Sequence, residues 1–197
     1  MKLLSCAGIA LGLLGATSAT TPLDGYIKQY HIPTDLNGSP FVYQWPVKLY
    51  GFLTQKAQTL EMAFMDIAPT GTANGKTAVL LHGRNFCSQT WNATAIELAE
   101  AGYRVILPDQ IGFCKSSKPN QYQFSLQQLA SNTKALLKKL EVDKVTVIGH
   151  SMGGMLATRF ALMYPANVTE LVLVNPIGLE DWKGRVSQSL ISHSTNI

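Results

Sequence analysis

The chain has 197 residues, of which 46% are hydrophobic and 14% charged. That suits one domain of ordinary size and excludes a disordered polar chain. The formal net charge is +4 and the pI about 9.0, but Lys and Arg are scattered with no basic run of five, which argues against nucleic-acid binding.

Residues 1–19 run from Met1-Lys2 through an apolar stretch, Leu3 to Ala16, to Thr17-Ser18-Ala19. This is a secretory signal peptide pattern, with cleavage expected after Ala19. The apolar run is too short to span a bilayer comfortably, and an uncleaved N-terminal anchor is the other reading. The expected product is secreted and free of the membrane. Cleavage would remove Cys6 and leave Cys87 and Cys114 in an oxidising compartment.

Residues 20–46 lack a period and read as an irregular N-terminal arm. Residues 47–53 and 58–68 alternate as two strands, expected as a hairpin. Short apolar runs follow at 77–81, 103–107, 145–148 and 170–174. Between them lie helical patterns at 91–101, 125–140 and 152–164, with Ser125 placed as an N-cap and Pro165 as a stop. Alternating short strands and helices imply a mostly parallel sheet covered on both faces. The domain is placed at 47–183, followed by an unpatterned tail over 184–197.

Gly149-His-Ser-Met-Gly-Gly154 directly follows one of these strands and opens a helix. A serine on such a tight turn stands exposed above the sheet, beside free N–H groups and the positive end of a helix dipole. The alternative is an ordinary Gly-rich turn. Two N–H donors are needed to hold a developing oxyanion. The backbone of Met152 offers one, and that of Arg84, in His82-Gly-Arg-Asn-Phe86, the other.

Leu81-His-Gly-Arg-Asn-Phe86, Tyr103-Arg-Val-Ile-Leu-Pro-Asp-Gln-Ile-Gly112 and Val147-Ile-Gly-His-Ser-Met-Gly-Gly154 together resemble the α/β-hydrolase superfamily. The likeness is to its esterase, haloperoxidase-like and epoxide-hydrolase-like branch, and it covers roughly residues 47–180. It implies the α/β-hydrolase fold: a mostly parallel sheet with an N-terminal antiparallel hairpin, the family's first six strands present and its last two missing. It implies Ser151 as nucleophile, where dehalogenases and epoxide hydrolases carry Asp, and hence acyl-enzyme chemistry on an ester, thioester, amide or C–C bond, with a small ester-like acyl substrate as the expectation. Asp109 matches a recurrent family aspartate and reads as a loop-ordering residue. The strands ahead of Cys87 and Cys114 are neighbours in this fold. A Cys87–Cys114 bridge is therefore reasonable, and two free buried thiols are the other reading.

A serine nucleophile needs a base and an acid, which in this fold follow it as Asp or Glu and then His. Of the four histidines, only His193 follows Ser151 at any distance, and it lies in the unpatterned tail. His82 belongs to the oxyanion loop, where it orders the loop rather than moving protons. Asp181, beside Glu180, is the candidate acid; a solvated loop pair is the alternative. The chain therefore reads as a C-terminally truncated hydrolase. It is either impaired or inactive, a non-catalytic fragment or binding chain, or completed by a complementing C-terminal half. No metal or organic cofactor is implied, since the Cys and His spacing fits no zinc pattern. Left as an edge, the apolar run at 171–174 predicts marginal solubility.

Overall fold

The computed structural model describes residues 42–53 and 58–179. The expected leader over 1–19, the arm up to residue 41, Glu180, Asp181, His193 and the tail over 184–197 lie outside the described residues.

Strand periodicity sorts the core into two layers. In β3 (Thr77–Leu81), Ala78 and Leu80 join one cluster and Val79 and Leu81 the other, all four fully buried. β4 (Arg104–Pro108) and β5 (Val145–His150) divide their side chains in the same way. One cluster takes Trp91, Ala95 and Ala99 from α1 (Asn92–Glu100) and the turn before it. The other takes Leu129, Leu136 and Leu137 from α2 (Leu126–Lys139) and Leu156 and Phe160 from α3 (Met152–Met163). Helices thus cover both faces, as an apolar parallel sheet requires.

The sheet order is β1-β2-β4-β3-β5-β6, with β1 at Val47–Leu53, β2 at Thr59–Ile67 and β6 at Val168–Val174. β1 and β2 form the expected antiparallel pair, Tyr50 opposite Met62. β2 then pairs antiparallel with β4, and β4, β3, β5 and β6 run parallel.

The elements fall where the sequence patterns place them, with small shifts. Trp91, expected to open the helix, instead ends a 3-10 turn over Ser88–Trp91, and α1 starts one residue later at Asn92. β5 continues through His150, and β6 starts two residues early at Val168. Ser125 caps α2, its Oγ accepting the Gln128 N–H at 3.1 Å. Among the described residues no helix is long and apolar enough to cross a membrane.

Candidate active site

The end of β5 and the start of α3 are joined through a single residue. Ser151 sits between His150 and Met152 with φ 55° and ψ −118°, a conformation costly for any residue with a side chain. Crowding enforces it. A Cβ added at Gly149 would lie 2.1 Å from the Gly153 carbonyl oxygen, and one at Gly153 2.1 Å from that of Leu81. Only glycine permits this approach of helix to strand. The Ser151 N–H donates to Val174 O at 3.2 Å, and Ser151 O accepts from Gly154 at 2.9 Å and Ile177 at 3.3 Å. Met152 opens α3, so the helix itself offers its N–H no acceptor.

The loop after β3 lies opposite. A Cβ on Gly83 would meet Ser151 Cβ at 3.3 Å, His150 Nδ1 at 3.2 Å and Phe86 Cδ2 at 3.1 Å. Residue 83 thus lies close to the serine, and a side chain there would press on Phe86, His150 and Ser151. Arg84, Asn85 and Phe86 are exposed, and Arg84 directs its charge away from the core.

His82 is fully buried and links two loops. Its Nε2 accepts the Gln110 N–H at 3.0 Å, so the ring proton sits on Nδ1 and is donated to Gly83 O at 2.8 Å. Burial pushes its pKa below the ordinary histidine range, which keeps the ring neutral.

Asp109 is the second hub, also fully buried. Its Oδ1 accepts the Ser88 N–H at 2.8 Å. Its Oδ2 accepts the Tyr43 hydroxyl at 2.6 Å and the Lys115 N–H at 3.1 Å. Burial, and then the charge of Asp109, raise the Tyr43 pKa far above the ordinary phenol range, so Tyr43 remains a donor. Cys87 and Cys114 are joined by a disulfide with Cα atoms 5.8 Å apart.

The His150 ring makes T-shaped contacts with Phe86 and Trp91, with centroids at 5.8 and 6.4 Å. These three residues, with Thr90 and Val174, line a cavity of about 220 Å³ beside the elbow. Among the described residues no cluster of three His, Cys, Asp or Glu could hold a metal ion.

The structure thus brings Ser151, Met152 and the Gly83–Arg84 turn to one end of the sheet. It does not describe Asp181 or His193. Tyr43 and Trp91 are the residues sequence reasoning missed. Tyr43 stands in an aperiodic stretch, where no pattern marks a long-range partner. Trp91 carried a weak signal, an aromatic residue just ahead of a helix.

A strained serine on a tight turn between a parallel strand and a helix, with Gly83 of the loop after β3 against it, is the strand–elbow–helix arrangement of one class of α/β proteins. The alpha/beta hydrolase fold family matches residues 77–190, and the chain belongs to that family. A probable hydrolytic enzyme from Pseudomonas aeruginosa PAO1, known from its crystal structure, is 62% identical with a TM-score of 0.71, covering 73% of this chain and 46% of that one. A 2-hydroxy-6-oxo-6-phenylhexa-2,4-dienoate hydrolase of Burkholderia cepacia is 31% identical over 64% of this chain and 49% of its own length. A 2-hydroxy-6-oxononadienedioate/2-hydroxy-6-oxononatrienedioate hydrolase of Paraburkholderia xenovorans is 42% identical over 50% of this chain and 35% of its own. The chain spans half or less of the length of these curated relatives.

Proposed function

We propose that the protein is a serine hydrolase that works by acyl transfer on an ester-like small substrate. The carrying observation is Ser151 at φ 55°, ψ −118° on the elbow, facing Gly83. Ser151 Oγ attacks the acyl carbon, and the N–H groups of Met152 and Arg84 receive the developing oxyanion. Asp181 and His193 are the acid and base that the chain itself offers; a complementing C-terminal half is the other source. Relatives named as hydrolases of 2-hydroxy-6-oxo-dienoates support a second substrate class, in which the same serine accepts an acyl group released by carbon–carbon cleavage. The leader pattern of residues 1–19 and the Cys87–Cys114 bridge support secretion. N-terminal sequencing of exported protein would read from Thr20 on this view and from Met1 if the leader stays attached.

The test is labelling of the folded protein by a fluorophosphonate probe, with Ser151→Ala as control. Labelling that vanishes in the control supports the reading. Loss of the nucleophile of a complete triad costs roughly 10⁶-fold in rate. Unlabelled folded protein would favour the non-catalytic alternative. If the protein labels, His193→Ala separates an in-chain base from one supplied by a complementing half.

A further inference from the structure

Arg84, Asn85 and Phe86 are the exposed part of the loop facing Ser151. One end of this stretch is held by His82 through Gly83 O. At the other end two attachments sit on adjacent residues. Cys87 is bonded to Cys114. Ser88, the next residue, donates its N–H to Oδ1 of Asp109, and Lys115, next after Cys114, donates to Oδ2 of the same carboxylate. A covalent bridge and a buried carboxylate therefore join the same two loops one residue apart. Phe86 sits immediately before the bridge and lines the cavity beside His150, and its carbonyl oxygen lies 3.8 Å from Cys114 Sγ. Cys87 is buried, whereas Cys114 is partly exposed, so a thiol can reach the bridge from the Cys114 side.

We propose that the bridge and Asp109 act as one double clamp on the loop opposite Ser151, and that the redox state of the bridge sets how far that loop depends on Asp109. With both in place the loop is held twice. With either one gone, the other still fixes the Cys87–Ser88 end. With both gone, the stretch from Arg84 to Ser88 loses both links to the loop after β4 and is held only from its two ends, at Gly83 and at the buried Trp91. Asp109 is thus a positioning residue whose weight rises when the bridge opens. This rests on the reading of the loop as an oxyanion loop. The opening step is exchange with a dithiol: the Cys87–Cys114 S–S bond breaks, each cysteine takes one proton from the dithiol, and the dithiol closes into its own cyclic disulfide.

The experiment compares the wild-type full chain and Asp109→Asn, each oxidised and after dithiothreitol, with Cys87→Ala/Cys114→Ala as the control that dithiothreitol should not affect. Two quantities are read: amide exchange of residues 84–91, and kcat and KM on p-nitrophenyl acetate. Each single loss should speed exchange and lower kcat several-fold. Their combination should exceed the product of the two by roughly tenfold, the coupling expected of groups that share one task. With kcat referred to the folded fraction measured by circular dichroism, since partial unfolding alone lowers apparent kcat at constant KM, the loss should fall on kcat with KM little changed. Should reduced Asp109→Asn fail to fold, Tyr43→Phe removes only one donor from the carboxylate and should show the same coupling at smaller size. Single effects that simply multiply, or exchange at 84–91 indifferent to dithiothreitol in Asp109→Asn, overturn the clamp. If Ser151→Ala hydrolyses the ester as fast as wild type, the hydrolase reading fails, and the exchange data still decide the clamp.

Discussion

β5 and β6 lie side by side, run in parallel and carry similar apolar runs, Val145-Thr-Val-Ile148 and Leu171-Val-Leu-Val174. α3 packs against both strands, but their burial differs. Val145, Val147 and Ile148 are buried, whereas Leu171 and Val172 are 39% and 42% exposed. β5 has β3 on its other side and helices on both faces, while among the described residues β6 pairs only with β5. An apolar run therefore identifies a strand but not its burial, which its neighbours decide. Both strands still serve the elbow: β5 leads into Ser151, and Val174 at the end of β6 accepts its N–H.

The sharpest test of this contrast is a matched truncation. Ile148→Ala in β5 should cost about 2–5 kcal/mol, because it opens a cavity in a closed core. Leu171→Ala in β6 should cost about 1 kcal/mol or less, since the site is already partly wet. Denaturant midpoints at constant m report both, and equal costs would abolish the distinction. Next comes Gly153→Ala, which forces a Cβ against the Leu81 carbonyl at 2.1 Å. Overpacking against backbone should cost about 1–3 kcal/mol. It should also suppress probe labelling of Ser151, because helix and strand must part at the elbow. Normal labelling in a stable variant would show that this packing does not set the serine.

The same contrast explains what was legible in advance. Elements whose cause lies within a short window could be read: the period of α2 with its Ser125 cap, the glycines about Ser151, and the parallel runs. These depend on local sterics and on which faces must be apolar. What could not be read depends on distant partners. Tyr43 reaches Asp109 across 66 positions from a stretch with no period. The tautomer of His82 depends on an N–H from Gln110, 28 residues on. The exposure of β6 is expected only through the family resemblance, which leaves that strand at an edge; its apolar run, like that of β5, does not encode sheet order. His193 and Asp181, proposed by elimination and position, have no geometry among the described residues.

His82 carries the pH dependence of the buried side of this comparison. Burial depresses its pKa, so the unfolded chain binds its proton more readily than the folded one. The stability this represents is present in full above the ordinary histidine value of about 6.5 and is lost as pH falls from there toward the depressed folded value. One such proton gives a slope of up to about 1.4 kcal/mol per pH unit. Melting curves from pH 7.5 to 5.5 should show it. His82→Asn should flatten that slope while lowering stability at pH 7.5, because it abandons one of the two loop bonds. A slope that survives the substitution would belong to another group.

The smallest effect is expected on the exposed strand, and there stability and solubility should separate. Glu170 in β6 lies 4.0 Å from Lys76 Nζ, with both side chains more than half exposed. Its Oε2 also accepts the Thr146 hydroxyl at 3.3 Å. An ion pair so open to water is screened, and Glu170→Gln should change stability by less than about 0.5 kcal/mol. The carboxylate has a different use, as a charge on a strand that otherwise presents Leu171 and Val172 to solvent. Such charges discourage strands of other copies from adding to an edge. Glu170→Val should therefore leave the melting temperature nearly unchanged while increasing light scattering on storage, which the same change on a covered strand could not do. A large shift in melting temperature without added scattering would mean that β6 is covered in solution, and the contrast with β5 would fall.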